Sequence, residues 1–245
     1  MRIRSLLVWA VLVVPGLGFA QEAPGNSYLT TTPLHAAEGE PALGTQHRAA
    51  VKQAIQASLA GNHDAAIPAL TDAVRYCDAQ QQVPGRKALS FQSHRQYAMY
   101  MDGPGRGTPT EWLDMACANA YTHLGYIAIE RDDIDAALRW LEKAIAVAPY
   151  DTEPLCEKGA ALTRRKDWQG SKASYEHALM LARTQPENRR MEALALRGVG
   201  FAQIELGDLD SARASYVASQ KLDPDSPTAK HELAYIEQLQ QEQKR

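Results

Sequence analysis

LGYIAIERDDIDAALRWLEKAIAVAP, residues Leu124–Pro149, reads as two helices broken by an acidic turn at Asp132-Asp133. Gly125 sits on the first helix, Ala137, Leu141 and Ala144 line the second, and Pro149 ends it. Small residues at Gly125, Ala137 and Ala144 let two antiparallel helices approach closely. Leu124, Leu138 and Leu141 fill the space between them. One such hairpin cannot cover its own apolar face, so it needs neighbours, and stacked neighbours form a solenoid. Copies in register are therefore predicted elsewhere in the chain.

The spacing resembles the tetratricopeptide repeat, whose period is about 34 residues. With Gly125 as its eighth position the repeat spans 118–151. Tyr121 and Leu124 then take the fourth and seventh positions, and Ala137, Leu141, Ala144 and Pro149 the twentieth, twenty-fourth, twenty-seventh and thirty-second. Only the eleventh, normally bulky, departs, being Ala128. A second copy at 152–185 carries Leu155, Gly159, Leu162, Ser171, Tyr175 and Ala178 in register. A third, at 193–226, carries Leu196, Gly200, Ala212, Tyr216, Ser219 and Pro224. It starts about two helical turns late. Thr184-Gln185-Pro186-Glu187 offers a capping box, which predicts a lengthened first helix from about Gln185. Upstream, SLAGNHDAAIPALTDAV matches the turn and second helix, giving a degenerate copy at 47–80 with Ala66, Leu70 and Ala73 in place. Pro68 is expected near the first turn of its second helix. Ser226-Pro227 caps a last helix, within 227–245, whose Leu233, Ile236 and Leu239 can cover the open end of the stack. The resemblance implies an all-α helical-hairpin solenoid with a C-terminal capping helix.

The stretch 81–117 does not fit the period. Val83-Pro84-Gly85 breaks the chain, and FQSHRQYAMYM (91–101) is amphiphilic without a clean period. Gly103-Pro104-Gly105-Arg106-Gly107 lacks the Lys-Ser/Thr of a phosphate-binding P-loop and reads as connector. Thr108-Pro109-Thr110-Glu111 has the form of a capping box with Pro at the first helical position. It predicts that the following helix begins there and runs through Trp112, Leu113 and Ala116.

The N-terminus has the form of a cleavable secretory signal at 1–20. Arg2 and Arg4 precede the apolar run Leu6–Val14, and Gly18-Phe19-Ala20 puts small residues before Gln21. That run is shorter than the roughly 18 residues a spanning helix needs, so no membrane insertion is expected after cleavage. Residues 21–44, rich in Pro, Gly and Thr, predict a disordered leader. A periplasmic or secreted location follows as an expectation. The formal net charge of −3 argues against nucleic acid, whose binding needs a basic footprint.

No cofactor, metal or catalytic set is predicted. The seven His are dispersed. His231-Glu232 resembles the start of a zinc-protease helix, but Tyr235 stands where the second His belongs. Cys77, Cys117 and Cys156 leave two readings: a Cys77–Cys117 bridge, the easier pairing in a regular stack, or buried free thiols. The resemblance implies a non-catalytic scaffold holding a protein or peptide partner in the concave groove lined by first helices. Thr122, Tyr126, Thr163, Arg164, Arg197 and Phe201 are the candidate contacts. Aromatic residues and Arg dominate binding hot spots, and truncating groove side chains is expected to leave folding intact. Asn119, Glu130, Glu153 and Cys156 share that face. Thr122 and Tyr126 break the Lys and Asn pattern of the subtype that clamps C-terminal carboxylates. The rival reading is an enzyme or small-ligand binder using His94, Arg95, Tyr97 and Tyr100.

Overall fold

The computed structural model describes residues 43–185 and 188–243. The predicted signal, almost all of the leader, and Pro186-Glu187 lie outside them. Four antiparallel hairpins follow one another: α1 (Arg48–Leu59) with α2 (His63–Gln81), and α4 (Met115–Glu130) with α5 (Ile134–Val147). Then come α6 (Glu153–Arg164) with α7 (Trp168–Arg183), and α8 (Arg189–Glu205) with α9 (Leu209–Leu222). The helix α10 (Pro227–Gln243) closes the stack, with Ile236 fully buried beside Leu209 and Tyr216. The fold is an all-α tetratricopeptide-type solenoid, as the spacing implied.

The small and large positions do what the pattern predicts. A Cβ at Gly125 would lie 2.6 Å from the Leu141 side chain, at Gly159 2.6 Å from Tyr175, and at Gly200 2.8 Å from Tyr216. Each pair joins the eighth and twenty-fourth positions of one repeat, so the absent side chain of the first helix makes room for the large one of the second. Ala66, Ala73, Ala137, Ala144, Ala178 and Ala212 are fully buried at the matching crossings. The turns repeat as well. Gly61, Asp132, Lys166 and Gly207 all adopt positive φ at the fifteenth position. At the start of each following helix the Asp side chain accepts from the N–H three residues on: Asp133 from Ala136 (3.0 Å), Asp167 from Gly170 (2.9 Å) and Asp208 from Ser211 (3.2 Å). Those carboxylates satisfy backbone N–H groups the helix leaves unpaired.

Four local expectations are corrected. Thr108–Glu111 does not start a helix. Thr110–Leu113 is a strand, β2, paired in parallel with β1 (Lys87–Ser90), and Lys87 N–H donates to Pro109 O at 2.8 Å. A strand partner that sequence could not reveal outweighs a local cap. The helix begins instead at Met115, capped by Asp114, which accepts from Ala116 N–H at 2.8 Å and pairs with Arg48 at 2.6 Å. Thr184 belongs to the end of α7, its hydroxyl donating to Leu181 O, and α8 starts at Arg189. Pro68 is the sixth residue of α2, in its second turn and not its first. The leader's end is held, since Leu43 O accepts from Asp114 N–H at 2.8 Å.

The segment between α2 and α4 is a compact insert. Phe91 is fully buried and is ringed by Tyr97, Tyr100, Trp112 and Tyr150 at 5.5–6.3 Å between ring centres. A helix, α3 (His94–Asp102), leads from there to the Gly-rich loop. Gln92 donates to Asp151, Arg95 to Thr184 O, and Gln96 to Gln185, which itself donates to Tyr150 O. The insert thus straps the α5–α6 and α7–α8 connections. At its base Cys77 and Cys117 form a disulfide, joining the end of α2 to the start of α4, while Cys156 is a buried free thiol.

Candidate functional site

First helices α4, α6 and α8 run side by side, α6 touching both neighbours. Helical spacing puts His123, Tyr126 and Glu130 on one stripe of α4, and Glu153, Glu157 and Arg164 on the matching stripe of α6. The stripes meet along a seam. His123 Nε2 lies 3.9 Å from Glu153 Oε1, and Glu130 Oε1 lies 3.9 Å from Arg164. His123 Nδ1 and Glu130 Oε1 are buried atoms with no hydrogen-bond partner, and His123 is only 5% exposed. Glu157 has no salt-bridge partner among the described residues. Carboxylates therefore outnumber cations along this line.

Burial sets the protonation here. It pushes the Glu157 carboxyl up to about 7, with Glu130 adding to the rise. Glu153 is raised by burial and then by Asp151 and Glu157, and Asp151 is raised by burial. His123 is driven down to about 4 by burial, so its imidazole is neutral at pH 7. A carboxyl whose folded pKa exceeds its unfolded value contributes fully below the unfolded pKa and loses that contribution as pH rises through the folded one. Glu157 therefore weakens the fold as pH climbs from about 4.5 to about 7. Glu157→Gln is expected to match the parent at about pH 4, below the unfolded carboxyl's range, and to exceed it by about 1–2 kcal/mol at pH 8, discounted for its partial exposure. Urea melts at the two pH values check this; an equal gain at both would refute the cause.

The candidate contacts divide by how they are held. Thr122 is buried and its hydroxyl donates to Ala118 O at 2.9 Å, turned into its own helix. Tyr126 is buried, edge-on to His63 with ring centres 6.1 Å apart. Phe201 is buried edge-on to Trp168 at 6.2 Å. Both wedge over the turn of the preceding hairpin. Arg197 is bound to Ser219 at 3.2 Å and Asp223 at 3.1 Å. Thr163 and Arg164 remain half-buried, Thr163 sharing a hydrogen bond with Ser171 at 2.8 Å. The expectation that Tyr126, Arg164, Arg197 and Phe201 could be truncated with folding nearly intact is thus corrected for the buried Tyr126 and Phe201. Phe201→Ala should cost about 3–5 kcal/mol, because it leaves a hole where one repeat leans on the next.

At the rival site Tyr97 stacks on Trp112 at 5.3 Å, His94 meets the same ring edge-on at 5.0 Å, and Tyr100 is buried against Phe91. Arg95 is spent on Thr184 O. The four residues sit together, but as the shell of the insert's aromatic core. His123 and Glu157 were missed by sequence reasoning. Both are the sixth residue of a repeat, one turn from the positions singled out, and extending the 153–157–160–164 stripe would have found them.

The tetratricopeptide repeat profile matches residues 118–151. No curated protein matches the sequence. Among solved structures, a chain of the APC/C heterotetramer Cut9–Hcn1 is 19% identical, with TM-score 0.58, covering 80% of this chain and 30% of that one. PilF of Pseudomonas aeruginosa is 14% identical, with TM-score 0.57, covering 80% of this chain and 69% of its own. The first repeat domain of Spaghetti (RPAP3), solved bound to the HSP90 peptide SRMEEVD, is 22% identical over 50% of this chain and 91% of its own, at TM-score 0.45. With the four hairpins, the Cut9–Hcn1 and PilF likenesses show that the architecture is an all-α tetratricopeptide-repeat fold.

Proposed function

We propose that this chain is a non-catalytic scaffold of a bacterial-type cell envelope, holding an extended segment of a partner protein along α4, α6 and α8. The observation that carries the reading is the charged, half-open stripe of Glu130, Glu153, Glu157 and Arg164, running across two repeats of a rigid stack. The insert's polar groups, by contrast, are largely consumed in strapping the stack together. The Cys77–Cys117 disulfide supports a periplasmic or secreted location, because such bonds persist in oxidising compartments. No described helix is long and apolar enough to cross a membrane.

A photo-crosslinking amino acid at Thr163, beside Arg164 at the end of the stripe, and another at Met180, exposed on α7, would test this in the native host. Adducts are expected from Thr163 and not from Met180. Arg164→Ala should lower their yield, with far-UV circular dichroism checking that the fold survives loss of its half-buried pair with Glu130. Adducts from a probe at His94 with none from Thr163 would move the site to the insert. Export predicts a product starting at Gln21 by intact mass. Retention of Met1–Ala20 would reverse the location.

A further inference from the structure

We propose that the α4–α6 seam takes a cationic side chain, Lys or Arg, of the bound segment, held by Glu153 and Glu157, with His123 accepting a hydrogen bond. This rests on the reading of the first-helix layer as the partner site, and it assigns the chemistry of what is held there.

Three observations converge. The first is charge. Glu130, Glu153 and Glu157 face the seam with Asp151 at its N-terminal end, and among the described residues Arg164 is the cation paired into it, 3.9 Å from Glu130. The other nearby cations are engaged elsewhere, Lys158 with Glu142 at 3.3 Å and Arg197 with Asp223 at 3.1 Å. The second is His123. Its side chain is 6% exposed, its Nε2 edge faces Glu153, and its Nδ1 has no partner. A neutral imidazole with one N–H directed at a carboxylate keeps a lone pair on the other nitrogen. Burying such an acceptor without a donor is costly, and an ammonium or guanidinium supplies the donor. The third is Glu130 Oε1, a buried oxygen that accepts no hydrogen bond.

An anionic or apolar occupant would leave these groups worse placed than before. A carboxylate would add a like charge beside Glu153 and Glu157, and an alkyl chain would desolvate them without compensation. A metal ion is a poorer fit, since no group of three or more His, Cys, Asp or Glu among the described residues is placed to ligate one. A long cationic side chain brings charge, several donors and an apolar stem that can lie along the half-buried helix surface. The upward shift of Glu157 belongs to the free protein; a cation beside it favours the ionised form.

The test is selection of phage-displayed random dodecapeptides on the full chain, with competing selections on Glu157→Gln and on Arg164→Ala. Enriched peptides are expected to carry a Lys or Arg at one fixed position. Replacing that residue by norleucine in the synthetic peptide should weaken binding at least tenfold by fluorescence anisotropy. Glu157→Gln should weaken the parent peptide similarly and leave the norleucine peptide unaffected. The norleucine arm needs no protein variant, so misfolding cannot imitate the result. Enriched peptides that lack a basic residue, yet lose affinity with Arg164→Ala, would overturn the charge assignment and leave the groove reading standing. Peptides indifferent to both variants, or no enrichment, would overturn the groove reading and the inference with it.

Discussion

Replacing Cys77 and Cys117 together by Ser, or reducing the bridge, is expected to cost about 4 kcal/mol. The two residues are separated by 40 positions, and confining a loop of that length in the unfolded chain is worth about that much. For a chain of this size the melting temperature should fall by roughly 10 °C. The bridge joins the first hairpin to the second across the inserted segment, where the chain leaves the stack although α2 still packs on α4. Other ties at that joint remain: Tyr121 donates to Asp78 at 2.7 Å, Lys143 to the same carboxylate at 2.9 Å, and Arg48 pairs with Asp114. The stack should therefore melt lower but still cooperatively. Thermal scans with and without dithiothreitol decide it, with Cys156→Ser expected to respond to reductant as the parent does. Oxidised and reduced melts within a degree of each other would show that the bridge adds nothing to the joint.

What could be read in advance, and what could not, follows one physical division. Contacts that recur at fixed offsets, such as Gly125 with Leu141 or Gly200 with Tyr216, are local and periodic, so the residue types alone identify them. The insert is neither. β2 exists because β1 lies beside it, and Phe91 is buried by Tyr150 from another hairpin. No offset within 81–117 encodes those partners, so Thr108–Glu111 read as a helix start. The capping box there was a sound local signal defeated by a distant one. The disulfide fell between these cases. Its two positions were recognised as neighbours in a regular stack, but the alternative of free thiols could be closed only by coordinates.

The groove shows the same division at the level of side chains. Repeat positions told which face each residue shares but not how far each reaches. Tyr126 and Phe201 lie on that face and are nonetheless occupied, each leaning on the first residue of the preceding hairpin's second helix, His63 and Trp168. Choosing aromatic residues and Arg by hot-spot preference therefore favoured structural wedges. The same preference passes over Glu153, and Glu157 lies outside the repeat positions considered, though acidic side chains one helical turn apart on a half-buried face are themselves a signal. Like charges there repel and are poorly hydrated, a combination that costs stability and is retained where something is bound.

Tyr175 should be the most sensitive position in the stack. Its ring lies between two helical glycines of successive repeats. A Cβ at Gly159 would fall 2.6 Å from one edge, and a Cβ at Gly198 2.4 Å from the other. Tyr175→Ala is expected to cost about 3–5 kcal/mol, by analogy with other aromatic truncations in packed cores. Gly198→Ala sets two effects against each other. Helix propensity alone would favour Ala by about 1 kcal/mol. The new methyl, however, meets a ring that cannot retreat, because Gly159 closes its far side. Overpacking of this kind costs about 1–3 kcal/mol and more where the neighbours are rigid, so packing wins and the variant should be the less stable. The sign should reverse once the ring is removed: in a Tyr175→Leu background, Gly198→Ala is expected to be neutral or stabilising. Urea denaturation of the four proteins closes the cycle and isolates the coupling between the two sites. If Gly198→Ala is as stable as the parent in the Tyr background, the ring has room to move. The glycines would then mark the helix crossing without being required by it.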